Sequence, residues 1–379
     1  METQKLYYED CEIREFTARV TACREENGKF LVTVDATAFY PEGGGQACDV
    51  GTLGDARVLD VQERDGQVLH FCDRPLPLNT QVTGKIDWQR RFDLMQQHTG
   101  EHIVSGIINR RFGYHNTGFH VGTQMLEVDF DGELSWEALQ EIEQEANRVV
   151  WENLPVNCFV PSPEELPHIF YRTKRALPWP VRIVEIPGVD SCACCGVHTK
   201  YTGQVGFIKL LSCVKFHQGA RIEMVCGQRA YNYVNQIFGE NRKISHLLSA
   251  KMPETAQSVE ALQKAYQEEK FRSVGLKNKL FAAIGESYRG VSCPLHFESP
   301  MSGGDLRELA DAICKVCGSA IVCAGTDETG YTLCILGEDA CDQGKTAAQS
   351  LNGRGGGRGN AYQGLFRATR AQMETYFGK

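Results

Sequence analysis

Two pairs of metal-binding residue types, far apart in the sequence, constrain the fold more than any other feature. His98 and His102 form one pair, and Cys194 and His198 form the other, with four residues from member to member in each. Positions i and i+4 of an α-helix lie on one face, so the rings of the first pair can point to one place. One thiolate and three imidazoles suit zinc. We therefore expect the two segments to meet at a metal ion.

The first pair lies in a segment with the pattern of an amphipathic helix. In RRFDLMQQHTGEHIVSGIINRRFG, residues 90–113, the apolar residues fall near one stripe and Gly113 offers a stop. The histidines are thus expected in the middle of a helix, with Thr99 and Glu101 on other faces. Ser135 is expected to cap a second helix.

The remaining patterns divide the chain into four parts and predict an α+β fold. Residues 1–90 alternate β-branched and aromatic residues around a glycine-dense loop, which predicts a β-rich, barrel-like subdomain. Residues 91–226 mix helices and strands without a βαβ repeat and are predicted to form the catalytic domain. A helical hairpin or spacer is expected over 227–286, with a break near Pro253, followed by a small α/β domain over 287–379.

Composition indicates a globular protein with an uneven charge. No signal peptide and no run of about 18 apolar residues is present, so we expect a cytoplasmic protein without membrane contact. The sixteen cysteines are then expected to be free thiols or metal ligands. The net charge is −8, but residues 343–379 hold six basic residues and one acidic residue. A polyanion would therefore prefer the C-terminal end.

Several stretches, taken with the two ligand pairs, resemble one protein family. They are TAFYPEGGGQACDVG (37–51), HTKYTGQVGFIKL (198–210), GARIEMVCG (219–227) and GRGGGRGNAYQG (353–364). In this order they resemble the AlaX-type alanyl-tRNA editing proteins, in the long form that ends in a DHHA1 domain, and the corresponding domains of alanyl-tRNA synthetase. The resemblance implies zinc bound by the four ligands named above.

The turn from Cys194 to His198, which we call the cysteine turn, departs from the family pattern. Cys195 stands where the family usually has a glycine, and Gln204 replaces its usual glutamate. Cys192 or Cys195 could also replace Cys194 as a ligand or lie close to the metal. These changes leave the ligand set intact but alter the surroundings of the metal, on which the substrate range depends.

The resemblance implies a trans-acting hydrolase that cleaves the ester of mischarged tRNA-Ala, carrying chiefly serine and also glycine. Zinc would polarise the ester or lower the pKa of a bound water to about 7. If all four ligands bind at once, the site is closed, as in structural zinc sites. We therefore expect either one exchangeable ligand or a zinc ion that only shapes the pocket.

The candidate catalytic residues are Thr37, Gln97 and Thr99, of which Thr99 either contacts the substrate or bonds back to the helix. Thr37 and Gln46 would read the serine hydroxyl and so spare alanine. The glycines of the stretch TAFYPEGGGQACDVG (37–51) would let the aminoacyl-adenosine end of tRNA approach closely, or else simply form a tight turn. The substrate-binding candidates in that motif are Gly43, Gly44, Gly45 and Gln46.

The C-terminal glycine-rich stretch offers Arg354 and Arg358 to RNA. GRGGGRGN does not fit GxxxxGK[ST], so ATP binding is not expected. Arginines in a flexible glycine loop, followed by Tyr362, suit phosphates and an unstacked base, and a structural glycine loop is the alternative. The resemblance implies that this domain holds tRNA-Ala, which would contact the protein through its acceptor end and body.

Two other functions stay open at this stage. One is a non-catalytic tRNA-binding protein stabilised by zinc, and the other is a zinc hydrolase of another aminoacyl ester or thioester. The helical spacer also leaves open the pairing of two copies in a homodimer.

Overall fold

The chain divides into two units, residues 1–243 and 244–379, in the computed structural model, which describes residues 2–26, 28–173 and 177–378. Helices and strands are mixed in both units, so the predicted α+β class is confirmed. All sixteen cysteines are described, and all are free thiols, as expected. Among the described helices, none combines the length and apolar character needed to cross a membrane.

The first unit begins with a closed barrel. Its elements are β1 (Gln4–Lys5), α1 (Leu6–Glu9), β2 (Glu15–Glu26), β3 (Lys29–Val34), β4 (Ala36–Thr37), β5 (Gly51–Leu53), β6 (Ala56–Arg64), β7 (Gln67–Cys72) and β8 (Gln81–Ile86). Six of these strands close the barrel in the order β2-β3-β7-β6-β5-β8. In β2, Phe16, Ala18 and Val20 point into the core while the residues between them face outward, which is the period of a strand with one buried face.

A long helix, α2 (Trp88–Phe112), follows the barrel. The Asp87 side chain caps its start by accepting a hydrogen bond from the Arg90 amide, and Gly113 ends it with a φ of 73°. Every residue from Leu94 to Ile108 is buried. The sequence predicted one buried apolar stripe, but the whole circumference of α2 is buried along these turns, because protein surrounds the helix on all sides.

The rest of the first unit packs around α2. It contains β9 (Asn116–Val121), β10 (Leu126–Phe130), α3 (Trp136–Glu152), β11 (Asn157–Phe159), β12 (Ile183–Ile186), β13 (Asp190–Ala193), β14 (Ile208–Phe216) and β15 (Gly219–Cys226), and α4 (Gly227–Leu248) starts here. One sheet has the order β14-β15-β10-β9, and another the order β11-β12-β13. Ser135 caps α3 by accepting a hydrogen bond from the Ala138 amide, as expected.

The second unit has one five-stranded sheet. Its elements are α5 (Thr255–Ser287), β16 (Leu295–Glu298), α6 (Gly303–Cys317), β17 (Ala320–Thr326), β18 (Gly330–Leu336), α7 (Ala340–Ser350), β19 (Gly353–Arg358), β20 (Ala361–Phe366) and α8 (Arg370–Phe377). The strand order is β16-β17-β18-β20-β19. A break between α4 and α5 falls at Pro253, as expected.

The glycine-rich C-terminal stretch is a strand, which corrects the expected flexible loop. β19 lies at the edge of the sheet and pairs with β20. A Cβ atom at Gly355 would lie 2.4 Å from the Cα atom of Gly364, so only glycine lets the two backbones approach this closely.

Candidate active site

The four predicted metal ligands meet in the first unit. The ligand atoms of His98, His102, Cys194 and His198 all lie within 4.8 Å of one another. Cys194 Sγ is 3.4 Å from His98 Nε2 and 3.7 Å from His198 Nε2. Helix α2 provides two of these residues, and the turn that follows β13 provides the other two. This group could hold a metal ion.

Protein groups fix the orientation of two of the three rings. The Nδ1 of His98 lies 2.7 Å from Oε1 of Gln46, and since that oxygen can only accept, the ring nitrogen donates. The Nδ1 of His102 likewise donates to Oδ2 of Asp190 at 2.8 Å. Asp190 is in turn bound by two nitrogens of Arg172. Contacts of this kind leave the Nε2 atoms for a metal and raise their basicity.

The electrostatics of the cluster favour a metal-binding thiolate. Burial alone would raise the pKa of Cys194, but the electrostatic influence of the neighbouring His98 and His198 rings and the hydrogen bonds with His102 and His198 lower that pKa well below its usual range. Burial lowers the pKa of His198 to about 3, so its ring is neutral at neutral pH. Thiolate and neutral imidazole are the protonation states that bind metal ions.

His102 behaves differently from His198. Burial would lower its pKa, but the hydrogen bonds to Asp190 and Cys194 and the nearby Glu101 together raise that pKa well above its usual value. The hydrogen bonds from His102 and Arg172 to Asp190 likewise overcome the effect of burial on Asp190 and lower the pKa of its carboxyl group. A metal ion bound at Nε2 of His102 would therefore displace a proton.

Three members of the cluster, His98, His102 and Cys194, form part of the wall of a cavity of about 250 Å³. Beside these three, the wall contains charged, amide, apolar and thiol groups, namely Gly44, Glu101, His115, Asn116, Phe119, Arg172, Thr173, Leu177, Cys192, Ala193 and Cys195. The cavity is therefore mixed in character, with apolar surface on part of its wall and a few convergent polar groups, as ligand sites are.

Two glycines are required where the glycine-rich stretch of residues 37–51 approaches the cysteine turn. Gly44 has a φ of +58°, and a Cβ atom there would lie 2.8 Å from Cys195 Sγ. A Cβ atom at Gly196 would lie 2.2 Å from Cε1 of His98. Only glycine fits at these two positions, because the backbone must approach the thiol and the ring closely.

The cysteine turn is held by an arginine and a tyrosine outside the cavity. Arg182 donates to the carbonyls of Cys194 and Gly196 at 2.9 and 2.8 Å. The Tyr8 hydroxyl donates to the carbonyl of Cys195 at 2.8 Å, and the Arg182 guanidinium lies 4.7 Å from the centre of the Tyr8 ring. These contacts fix the backbone from which Cys194 projects.

The three predicted catalytic residues lie outside the described lining of the cavity. Thr37 is buried in the barrel, where its hydroxyl lies 2.9 Å from His70 Nε2. Gln97 bonds to the amide and carbonyl of Cys226, and Thr99 accepts a hydrogen bond from the Thr199 amide at 3.0 Å. Their polar atoms are engaged in holding the fold together, so these contacts give no support to a catalytic assignment.

The predicted substrate-binding residues are also divided. Gly44 lines the cavity, whereas Gly43 forms a β-bridge with Gln46. Gly45 packs against Phe119, and Gln46 contacts His98. Arg354 and Arg358 lie on the exposed edge strand β19 of the second unit.

Glu101 lines the cavity, which corrects the expectation that it faces away from the histidines. It lies three residues after His98, and positions i and i+3 of a helix are neighbours on one face. This spacing is a signal that could have found it. No local pattern indicates Asp190, Arg172 or Asn116, because they reach the site from other elements.

Comparisons with known proteins define first the class and then the family of this chain. Residues 2–90 match the family model of class II (A) tRNA synthetases, and residues 181–223 match that of the threonyl and alanyl tRNA synthetase second additional domain. The chain thus contains domains of the alanyl-tRNA synthetase type.

Individual relatives narrow this class. The chain is 31% identical to the alanyl-tRNA editing protein Aarsd1 of Bos taurus over 74% of its own length and 67% of the relative. It is 33% identical to the alanyl-tRNA editing protein AlaX-L of Pyrococcus horikoshii, over 62% of its own length and 60% of the relative. It therefore belongs to the family of alanyl-tRNA editing proteins, which confirms the resemblance to that family, while the C-terminal DHHA1 domain stays a prediction.

An alanine–tRNA ligase from Thermofilum pendens is also similar, at 32% identity. The match includes 97% of this chain but only 43% of the ligase. The chain thus spans less than half of that enzyme.

Proposed function

We propose that this chain is a trans-acting hydrolase that cleaves the ester of mischarged tRNA-Ala, with Ser-tRNA-Ala as its main substrate and Gly-tRNA-Ala as a second. The observation that carries this proposal is a cluster of three buried histidines and one partly buried cysteine, of which His98, His102 and Cys194 line a cavity, in a chain that belongs to the alanyl-tRNA editing family. The names of the relatives supply the tRNA, and the cavity is a site at which its aminoacyl end can react.

The proposed metal is zinc, held by His98, His102, Cys194 and His198. Nitrogen and thiolate donors suit zinc, and the Nδ1 contacts of His98 and His102 are those that metal-binding histidines usually make. Zinc bound there would supply Lewis-acid polarisation at neutral pH.

The surrounding residues would position the ester and hold protons. Gly44 presents backbone without a side chain, so the acyl-adenosine end can approach the cluster closely. Phe119 and Leu177 supply apolar surface that excludes bulk water from part of the cavity. Asp190 holds the proton on Nδ1 of His102 and so fixes that ring.

The second unit would bind the body of the tRNA. Arg354 and Arg358 are exposed on β19, near a C-terminal end that is rich in basic residues. Arginine pairs with phosphate independently of sequence, so this contact would add affinity that falls as salt rises. Recognition of tRNA-Ala in particular is part of the proposal.

The test is deacylation of Ser-, Gly- and Ala-tRNA-Ala by the zinc-loaded protein, and by the same protein after chelation and after zinc is restored. We expect serine to be released, alanine to be spared, and activity to follow the zinc content. Binding of tRNA without release of any amino acid would contradict the proposal and favour a non-catalytic binding protein. Equal hydrolysis of esters without tRNA would favour the broader hydrolase.

A further inference from the structure

A carboxylate on the cavity wall has no part in the four-residue cluster. Glu101 is almost fully buried, at 4% exposure, yet its side chain lines the cavity. Its Oε1 accepts hydrogen bonds from the hydroxyl of Ser105 and the amide of Asn116, each at 2.5 Å. Both donors are neutral, so neither compensates the charge of the carboxylate.

No cation that the structure describes is bonded to this carboxylate. Within residues 2–26, 28–173 and 177–378, Glu101 forms no ion pair with lysine or arginine. Arg172 lies on the same cavity wall, but its guanidinium donates to both oxygens of Asp190, at 2.7 and 2.8 Å. Among the residues that the structure describes, only neutral groups donate to this buried carboxylate, so it would be a favourable partner for a ligand group that brings a positive charge.

Asn116 gives a second, independent indication of a donor-bearing ligand. Its Oδ1 is buried and has no hydrogen-bond partner among the described residues. Its Nδ2 donates to Glu101, so the unpaired oxygen lies close to the carboxylate, and Asn116 also lines the cavity. A buried acceptor without a donor is costly. One ligand group with several N–H donors and a positive charge would satisfy both residues.

We propose that Glu101 and Asn116 form a subsite for the α-ammonium group of the aminoacyl ester, a step that rests on the proposed function. An aminoacyl ester carries one ammonium group next to its ester carbonyl. Because Glu101 is a helical neighbour of His98, a substrate held by its ammonium group would present its carbonyl near the cluster. Esters without a free amine, such as those of peptidyl-tRNA, would bind poorly and be spared.

Binding of two non-hydrolysable analogues to the zinc-loaded protein tests the subsite. Both are 3′-N-acyl amides of 3′-amino-3′-deoxyadenosine, one carrying a seryl group and the other a 3-hydroxypropionyl group, which lacks only the α-amine. Calorimetry of the wild type should show about 100-fold tighter binding of the seryl analogue, the factor expected of a buried charge pair. Glu101→Gln should reduce this preference to less than about 5-fold.

Two controls separate the charge from its structural contacts. Glu101→Asp keeps the charge and should keep most of the preference. Ser105→Ala removes a hydrogen bond to the carboxylate but not the charge, so it should also keep the preference. If the two controls lose the preference as fully as Glu101→Gln does, the carboxylate acts only through local structure and the proposal is wrong.

Other outcomes also decide the matter. Equal binding of the two analogues by the wild type would overturn the subsite without any variant. Equal loss of both analogues in a folded Glu101→Gln protein would overturn it as well. If the seryl analogue binds through Glu101 but Ser-tRNA-Ala is not hydrolysed, the subsite stands and the proposed deacylase function falls.

Discussion

Helices α2 and α5 show two ways in which one chain uses polar helical sequence. In α2, every residue from Leu94 to Ile108 is buried, including the two histidines and Glu101. In α5, which is longer, only Phe281 and Gly285 are buried. The polar residues of α2 must therefore find partners within the protein, whereas those of α5 can bond to water. The candidate site lies on the helix whose polar groups are removed from water, where partners within the protein fix the orientation of the side chains.

The largest expected effect comes from breaking the buried ion pair of α2. Arg91 and Asp49 are both almost inaccessible, and Arg91 also donates to the carbonyl of Cys11 at 3.0 Å. Arg91→Leu should lower the free energy of unfolding by about 3–5 kcal/mol, since it leaves the carboxylate buried without a cation. Urea denaturation measures this change. The matched control is Arg91→Leu with Asp49→Asn, which should recover a large part of the loss; no recovery would contradict the assignment to the buried charge.

The second largest effect concerns a buried polar residue of the barrel, His70. Its Nδ1 donates to the carbonyl of Val32, and burial lowers its pKa from 6.5 to about 4. As pH falls through 6.5, the unfolded chain takes up a proton that the folded protein refuses, so stability falls. Between pH 6.5 and 5 this contribution changes by about 1.5 kcal/mol.

The measurement compares urea denaturation at both pH values for wild type and His70→Gln. The variant should lose less stability than wild type on acidification, by the amount given above. His246→Gln, at an exposed position, should behave like wild type. An identical pH dependence in His70→Gln would contradict the neutral, buried state of His70.

A smaller effect, on metal affinity, is expected from Asp190→Asn. The neutral amide oxygen is a weaker acceptor for the Nδ1 proton of His102 than the carboxylate is. The His102 ring is then less basic and a weaker metal ligand. We expect zinc affinity to fall by 10–100-fold, about 1–3 kcal/mol. Competition with a chromogenic chelator measures it. Unchanged affinity would show that the contact does not act on the metal site.

The smallest effect is expected in α5. Arg272 and Glu269 form an ion pair 3.3 Å long in which both side chains are 71% exposed. Arg272→Ala should change the free energy of unfolding by less than about 0.5 kcal/mol, because exposed pairs contribute little. Urea denaturation of the whole chain checks this, and a loss of more than about 1 kcal/mol would show that α5 is not the solvated helix described here.

The difference between these helices also explains what the sequence could predict. Spacing and caps are local, so the segment around His98, the stop at Gly113 and the cap at Ser135 were predictable. The meeting of His98 with Cys194 was predicted from the chemistry of the ligands rather than from any local pattern.

Partners that come from distant elements left no such signal. Nothing in the local sequence links His102 to Asp190, or Gln46 to His98, because these pairs form only when the barrel, α2 and β13 come together. Thr37 is a related case, since its motif lies beside the site while its hydroxyl contacts His70, and its catalytic role stays a prediction. The glycines of β19 likewise indicated a loop, and close pairing with β20 makes them a strand.

A comparison of two neighbouring cysteines tests most directly whether the four-residue cluster binds zinc and is needed for deacylation. Cys194 belongs to the cluster, whereas Cys195 is exposed next to it. Cys194→Ser and Cys195→Ser are each measured for bound zinc and for deacylation of Ser-tRNA-Ala, with thermal unfolding as the check of folding. We expect the Cys194 variant to lose zinc affinity and at least about 100-fold in activity, while the Cys195 variant keeps both. Full activity in a folded Cys194→Ser protein would contradict this expectation.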